Sequence, residues 1–283
     1  MFDSGVGGLT VMKEILEAIP EVRVIYFGDT ARVPYGNRQP EELIGFGEEI
    51  ITFLISQGAE AIVVACNTSS AISLSVLQER FAIPILGLIE PGARLAVKKT
   101  LGGKIGLIAT EGTVRSKAYT LAVSKALSRG LVPADLVLRA AWQRGDQPIS
   151  LVRAQACPLF VPLVEAGLAN SDEAGGIART YLKPLKRAGI DTLILGCTHY
   201  PYLYPVIQDI LGQDVVLVDP AEGVVTELQK LLAQLEVRNL SQITGSQWRV
   251  RYFVSGDPAL FRQVGNTLLK QSIENVRQIY WTE

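Results

Sequence analysis

The stretch Ala61-Ile62-Val63-Val64-Ala65-Cys66-Asn67-Thr68 decides the reading, because Thr192-Leu193-Ile194-Leu195-Gly196-Cys197-Thr198-His199 repeats its design far along the chain. Each is a short apolar run, rich in β-branched residues, that stops at a cysteine. Hydrogen-bonding residues follow, then a helical pattern. A continuous apolar run of this length reads as a strand buried on both faces. Both thiols then stand at the carboxyl ends of buried strands, the edge at which open α/β sheets bind ligands. One thiol there would point to a nucleophile. Two in matching settings point to a pair of acid/base groups serving opposite faces of one small substrate.

Outward from these two runs, strand and helix patterns alternate along the chain. Apolar runs at 22–27, 61–65, 84–88, 104–109, 136–138, 192–195, 215–218 and 251–254 read as strands. Helical periodicity covers 9–19, 40–57, 68–80, 113–128, 172–187, 203–211, 221–235 and 258–268. Such alternation implies right-handed crossovers and largely parallel sheets, so the fold class is α/β. Glu90-Pro91-Gly92 reads as a turn between a strand and a new helix, and a second break falls near Tyr200-Pro201-Tyr202-Leu203-Tyr204-Pro205. With both as hinges, residues 1–91 and 205–283 form one α/β domain carrying Cys66. Residues 92–204 form an inserted α/β domain carrying Cys197. The expected site is a cleft between two such domains, a common place for a small-molecule pocket.

Composition narrows the classes. Lys and Arg number 27 against 28 Asp and Glu, with pI near 6.0. That balance advertises neither nucleic acid nor a membrane surface. No apolar run approaches the roughly 18 to 20 residues of a membrane span. Three cysteines without disulfide-like spacing fit free thiols in a reducing compartment, and no leader pattern opens the chain. The expectation is a cytoplasmic protein.

The remaining candidates gather at strand ends. Asp3-Ser4-Gly5-Val6-Gly7-Gly8 lies between a first strand ending at Asp3 and the amphipathic stretch from Leu9. Glycines there let backbone N–H groups turn toward a carboxylate-sized anion. The spacing fits no nucleotide loop, and an ordinary helix start explains the segment equally well on local sequence. Gly28 to Gly36 reads as a long polar loop, which alone would be a plain connection. A single cysteine ending a strand is more often a small buried hydrophobe than a catalyst. The pairing reverses those odds, since helix starts favour thiolate. Cys157, in Ala156-Cys157-Pro158-Leu159, has no such neighbours and reads as packing. Cys66, Cys197 and His199 lack a usual zinc spacing, so no metal is expected. His199, the chain's single histidine, sits two residues past Cys197 and could tune that thiol or shuttle a proton. Asp3 could do the same beside Cys66. A cysteine hydrolase would want one Cys–His pair and no second thiol.

Together these segments resemble the glutamate racemases, enzymes of the Asp/Glu racemase superfamily that supply D-glutamate for peptidoglycan without a cofactor. The stretches that carry the resemblance are 2–9, 26–36, 64–68, 89–92, 108–113, 157–165 and 193–201. They run in family order over about residues 2 to 205; the tail beyond Asp219-Pro220 is less diagnostic. Family members usually carry several residues before Phe-Asp-Ser-Gly, so either the start is assigned too late here or the first strand is shortened.

The resemblance implies two pseudo-symmetric α/β domains with the active site between them. By motif match, Cys66 and Cys197 correspond to the family's catalytic thiols, Asp3 and His199 to its assisting residues, and Glu165 to the acid near the second thiol. Asp3, Ser4, Pro34, Tyr35, Gly36, Asn67, Thr68, Thr110, Thr113, Thr198 and His199 match the positions that bind the amino acid. Capping and turn chemistry would otherwise account for Thr110, Thr113 and Glu165. Cys66 is expected to act on D-glutamate and Cys197 on L-glutamate. The implied partners are L- and D-glutamate and a second copy in a homodimer, with no cofactor, nucleic acid or membrane. Two other readings stay open: a related two-cysteine racemase acting on aspartate or a hydantoin, and a non-catalytic binding protein. Some family members are reported to bind DNA gyrase, but no basic patch here argues for that.

Overall fold

The computed structural model describes residues 1–129, 149–235 and 248–281, and these fall into two compact units. Unit one comprises Met1–Gly87 with Val224–Glu283, and unit two comprises Leu88–Gly223. The expected strand at 136–138 lies outside the described residues.

Unit one is built on a six-stranded parallel sheet. Its strands are β1 (Phe2–Asp3), β2 (Val24–Gly28), β3 (Ile62–Val64), β4 (Ile85–Gly87), β9 (Val250–Val254) and β10 (Val276–Gln278), in the order β10-β9-β2-β1-β3-β4. Every residue of β2 and β3 is buried, as runs without polar alternation require when helices cover both faces. One such helix, Pro40–Ser56, starts on a capping box in which Gln39 N–H donates to Glu42, with proline in its first turn. Its buried Leu43, Gly47, Ile50, Ile51 and Leu54 recur at helical spacing along one stripe. Ile50, Ile51 and Leu54 join Phe2, Ile25, Phe27, Ile62, Val64, Leu77, Ile85 and Phe253 in one core. Each such side chain contributes about 1.5–3 kcal/mol on full burial.

Unit two carries a four-stranded parallel sheet: β5 (Lys104–Ala109), β6 (Ser150–Ala156), β7 (Thr192–Gly196) and β8 (Val216–Val218), in the order β6-β5-β7-β8. Counted from each unit's first strand, both sheets contain the same order, 2-1-3-4. In that order the chain leaves the first strand to one side and returns on the other. The topological switch point therefore falls between the first and third strands, where sheets of this kind bind their ligands.

Several expectations change. Glu90-Pro91-Gly92 is no turn but the first turn of the helix Ile89–Lys99, where a proline has no intrahelical bond to lose. The second boundary lies at 223/224 rather than 204/205, because β8 pairs with β7 and holds the intervening residues in unit two. The helix expected over 113–128 is two, Glu111–Ser116 and Ala118–Ser128, separated at Lys117 in the left-handed region at φ 56°. The helix expected over 68–80 is likewise two, Asn67–Ile72 and Leu74–Arg80. Neither β6 nor β10 was expected. Both are edge strands with half-exposed residues, so they lack the continuous apolar run that marks the others.

Candidate active site

In unit one the carboxyl ends of β1, β2 and β3 bring Asp3, Asp29 and Cys66 to one edge of the sheet. Asp3 is fully buried, and its Oδ2 accepts the backbone N–H groups of Gly5 at 3.1 Å and Gly8 at 3.0 Å. This folds Ser4–Gly8 into a turn under the carboxylate, and the Tyr26 hydroxyl pins it by donating to Gly5 O at 2.8 Å. Ser4 is half-buried in that turn. Asp29 N–H donates to Asp3 O at 3.0 Å, which ties the next loop to the first.

Cys66 caps the helix Asn67–Ile72; its carbonyl accepts from Ser70 N–H at 2.8 Å. Asn67 and Thr68 are buried directly behind it. Tyr35, Leu43 and Cys66 pack in one buried cluster with Phe46 and Ile72 against it. Tyr35 donates a short hydrogen bond to Asp29 Oδ2. Burial, the Asp29 charge and then Cys66 push the phenol well above its usual range, so it is a protonated donor. Pro34 is exposed and Gly36 half-buried on either side of it.

Unit two brings together Thr110, Thr113, Glu165, Cys197, Thr198 and His199 at the corresponding edge. Thr110 follows β5 directly and caps the helix Glu111–Ser116: its Oγ1 accepts Thr113 N–H at 3.3 Å, and the two hydroxyls lie 3.0 Å apart. The capping role is therefore real, whatever else these threonines do. Cys197 follows β7 directly. Its carbonyl accepts Tyr200 N–H at 3.0 Å, which turns the chain into the 3-10 helix Tyr200–Leu203, and the α-helix expected over 203–211 follows at Tyr204–Leu211. Tyr200 fixes that turn by donating its hydroxyl to Cys157 O at 3.1 Å.

His199 links the thiol to an acid. Its Nδ1 lies 3.8 Å from Cys197 Sγ, and its Nε2 lies 2.9 Å from Glu165 Oε1. Burial alone would lower the imidazole pKa. The hydrogen bonds and charges of Cys197 and Glu165 outweigh it and raise the pKa to about 10, so the ring is cationic near neutrality. Glu165 ends the helix Phe160–Glu165, with its side chain 41% exposed. Cys157 is buried beside this site; burial first, then the Cys197 charge, pushes its thiol far up, consistent with packing.

Sequence reasoning passed over four side chains that build these edges: Tyr26, Asp29, Arg32 and Tyr119. Asp29 had a signal, being an acid placed immediately after the wholly buried β2. Tyr26 and Tyr119 had none, because a buried tyrosine in an apolar run looks like core until its hydroxyl's neighbours are known. Tyr119 is fully buried, and burial, then Asp219 and Cys197, raise its pKa well above the usual range. Among the described residues no three His, Cys, Asp or Glu side chains converge as a metal would need, and no helix is long and apolar enough to cross a membrane.

The sequence profile of the Asp/Glu/hydantoin racemases matches residues 4–228. The chain belongs to that family. It is similar to the glutamate racemase of Desulforudis audaxviator, with 48% identity over 99% of this chain and 96% of the relative. Among solved structures it is similar to glutamate racemase isoform RacE1 of Bacillus anthracis: 37% identity, TM-score 0.84, covering 98% of this chain and 95% of that one. It also resembles the glutamate racemase of Francisella tularensis solved with D-glutamate, at 34% identity and TM-score 0.81 over 98% of this chain and 95% of that one. Membership of this racemase family makes the protein an isomerase, and the two-unit α/β architecture agrees with those structures.

Proposed function

We propose that the protein interconverts L- and D-glutamate by a cofactor-independent, two-thiol mechanism. The observation that carries this is the repeated topology. Each unit has one free cysteine within two residues of the end of the third strand of a 2-1-3-4 sheet, at the switch point, with polar residues of the first-strand loop on the same edge. A pair of equivalent proton carriers is what inversion at one carbon needs, because hydrogen must leave one face and return to the other.

On this reading the Cys197 thiolate removes the α-hydrogen of L-glutamate as a proton, forming an S–H bond and leaving a carbanion. The Cys66 thiol delivers its proton to the opposite face, giving D-glutamate and a Cys66 thiolate; the reverse reaction exchanges the roles. His199, held by Glu165, assists Cys197, and Asp3 assists Cys66. Ser4, the Pro34-Tyr35-Gly36 segment, Asn67, Thr68, Thr110, Thr113 and Thr198 supply the donors and acceptors that hold the amino acid. Each positioned acid or base contributes about 10²–10⁴-fold, so donors around the α-carboxylate and exclusion of water supply much of the rest. Peptidoglycan supply, a cytoplasmic setting and homodimer formation carry over from the family resemblance. Glutamate is favoured over aspartate or a hydantoin because the relatives at 34–48% identity are named as glutamate racemases.

The test is direct. L-Glutamate in deuterated water, with pure protein and nothing else added, should lose optical activity while gaining deuterium at the α-carbon. Cys66→Ala and Cys197→Ala should each abolish racemisation. Persistence in either variant would sink the two-thiol mechanism.

A further inference from the structure

Beside Cys66 lies a charged cluster that the proposed chemistry leaves unused. Asp29 is a fully buried carboxylate at the end of β2. It accepts from the Tyr35 hydroxyl, and from Arg32 Nε at 3.0 Å through Oδ1 and 2.8 Å through Oδ2. Arg32 Nη1 reaches Glu49 on the helix Pro40–Ser56 at 2.5 Å. Aromatic rings close the guanidinium in: its Cζ lies 4.2 Å from the centroid of Phe46 and 5.0 Å from that of Trp281. Trp281 reaches this place from the far end of the chain by packing on Phe27 and Phe53. Phe46 also packs on Tyr35 at 5.7 Å, so the same ring touches the cation and the phenol it helps to place.

We propose that Arg32 is a positioning residue for the Cys66 thiol: clamped between Phe46 and Trp281, it neutralises Asp29, and Asp29 fixes the Tyr35 hydroxyl in the cluster that holds Cys66. The proposal rests on the two-thiol reading for its catalytic meaning and deepens it. Arginine suits the task because its planar fork stacks on aromatic faces while still hydrogen-bonding carboxylates, which a lysine ammonium does not reproduce. Among the described residues, a buried Asp29 carboxylate without Arg32 would keep only the Tyr35 hydroxyl against its charge. That uncompensated anion would disfavour a second anion at Cys66 nearby. The charged and titratable groups at this end of the unit are Asp3 on the β1 loop, Asp29, Arg32, Tyr35 and Arg38 on the β2 loop, Cys66 itself, and Glu42 and Glu49 on the covering helix. Of the two cations, Arg32 is the one bonded to Asp29; Arg38 lies 5.8 Å from the Phe46 centroid, donates to Arg32 O at 3.1 Å and pairs with Glu42 at 3.1 Å.

The experiment reads thiol reactivity without substrate. The full-length protein is alkylated with iodoacetamide across a range of pH, and each cysteine is followed by peptide mass mapping. Arg32→Met should move the Cys66 midpoint upward by about one pH unit, leaving Cys197 where it was. Loosened packing would change the extent of alkylation, not its midpoint. Arg32→Lys, which keeps the charge, should recover at least half of the shift. In parallel, kcat for glutamate should fall about 10- to 100-fold in Arg32→Met, with KM changed much less. Should Arg32→Met fail to fold, Arg32→Gln serves for the same shift. A Cys66 midpoint that stays at the wild-type value in the folded variant overturns the proposal. A wild-type protein inert toward glutamate would instead overturn the two-thiol reading, and the alkylation test would still stand.

Discussion

Gly8→Ala is the substitution whose outcome the structure specifies most sharply. Gly8 has φ −61° and ψ −9°, so its backbone would welcome any residue. Space is the obstacle. An added Cβ would stand 2.5 Å from Asp3 Cβ, 2.8 Å from the Tyr26 hydroxyl oxygen and 3.0 Å from Asp3 Cγ. Carbon atoms pack at about 3.5–4.0 Å, so Asp3 must retreat by roughly 1 Å. Asp3 and Tyr26 are both fully buried, so neither can relieve the clash by swinging out into solvent. Overpacking of this kind costs about 1–3 kcal/mol of stability. A displacement near 1 Å at a reacting group costs about 100-fold in rate, or about 2.7 kcal/mol. The folded variant should therefore melt at lower temperature and show a kcat reduced about 100-fold. The measurements are circular dichroism of glutamate for rate and thermal unfolding for stability. Gly45→Ala is the control: it sits inside the helix Pro40–Ser56 with nothing within 4 Å of the added carbon. It should raise stability by about 0.5–1 kcal/mol and leave the rate alone. Wild-type kcat in Gly8→Ala would refute both the crowding argument and the assigned role of Asp3.

Other substitutions test separate parts. His199→Gln should lower stability at pH 7, because the native imidazole is more basic than the unfolded one. That contribution is fully present below about pH 6.5 and fades as pH rises through about 10, so denaturant titrations of variant and wild type should converge there. His199→Asn should also slow kcat from L-glutamate more than from D-glutamate, and equal slowing would count against its placement beside Cys197. Asp191 accepts hydrogen bonds from Thr100 Oγ1, Leu101 N, Lys104 N and Thr192 Oγ1. Burial would raise this carboxyl, but those bonds hold it below its usual range, so its contribution is present above about pH 4 and lost as pH falls further. Asp191→Ala should cost about 2–4 kcal/mol in urea at pH 7, and much less at pH 3. Cys157→Ala should cost about 1–3 kcal/mol and spare the rate; a large rate loss would show that this thiol does more than pack.

What the sequence revealed follows from which interactions are local. The runs ending at Cys66 and Cys197 are buried on both faces, so their composition alone announces a strand, and the residue after each must meet the ligand edge. Edge strands such as β6 carry Arg153 on an exposed position and Gln155 on a half-buried one, and nothing local separates them from loop. The boundary after Tyr204 misled for a related reason. Prolines and a short 3-10 helix look like a hinge, whereas membership of unit two is settled by β8 pairing with β7, a contact invisible in the local pattern. Asp29 and Arg32 illustrate the same point in the site. Their segment reads as a polar loop until Trp281, some 250 residues later, is found against the guanidinium.

The two thiols are not equivalent in their surroundings, and thermodynamics limits what that asymmetry can do. Cys66 packs with Tyr35 and Leu43, while Cys197 has the chain's one histidine beside it. Enantiomers have equal free energy, so kcat/KM must be the same in both directions whatever surrounds each sulfur. The difference can appear only in how kcat and KM share that ratio. Under the proposed mechanism, every turnover also leaves the thiols in exchanged protonation states. In that mechanism Cys197 receives L-glutamate as the thiolate, so after each L-to-D conversion Cys197 has to lose a proton and Cys66 regain one. His199 and the partly exposed Glu165 give Cys197 a hydrogen-bonded path toward solvent. The buried Cys66 cluster offers no imidazole for the purpose. Restoring the proton on Cys66 is then the step most exposed to becoming rate-limiting when L-glutamate is saturating.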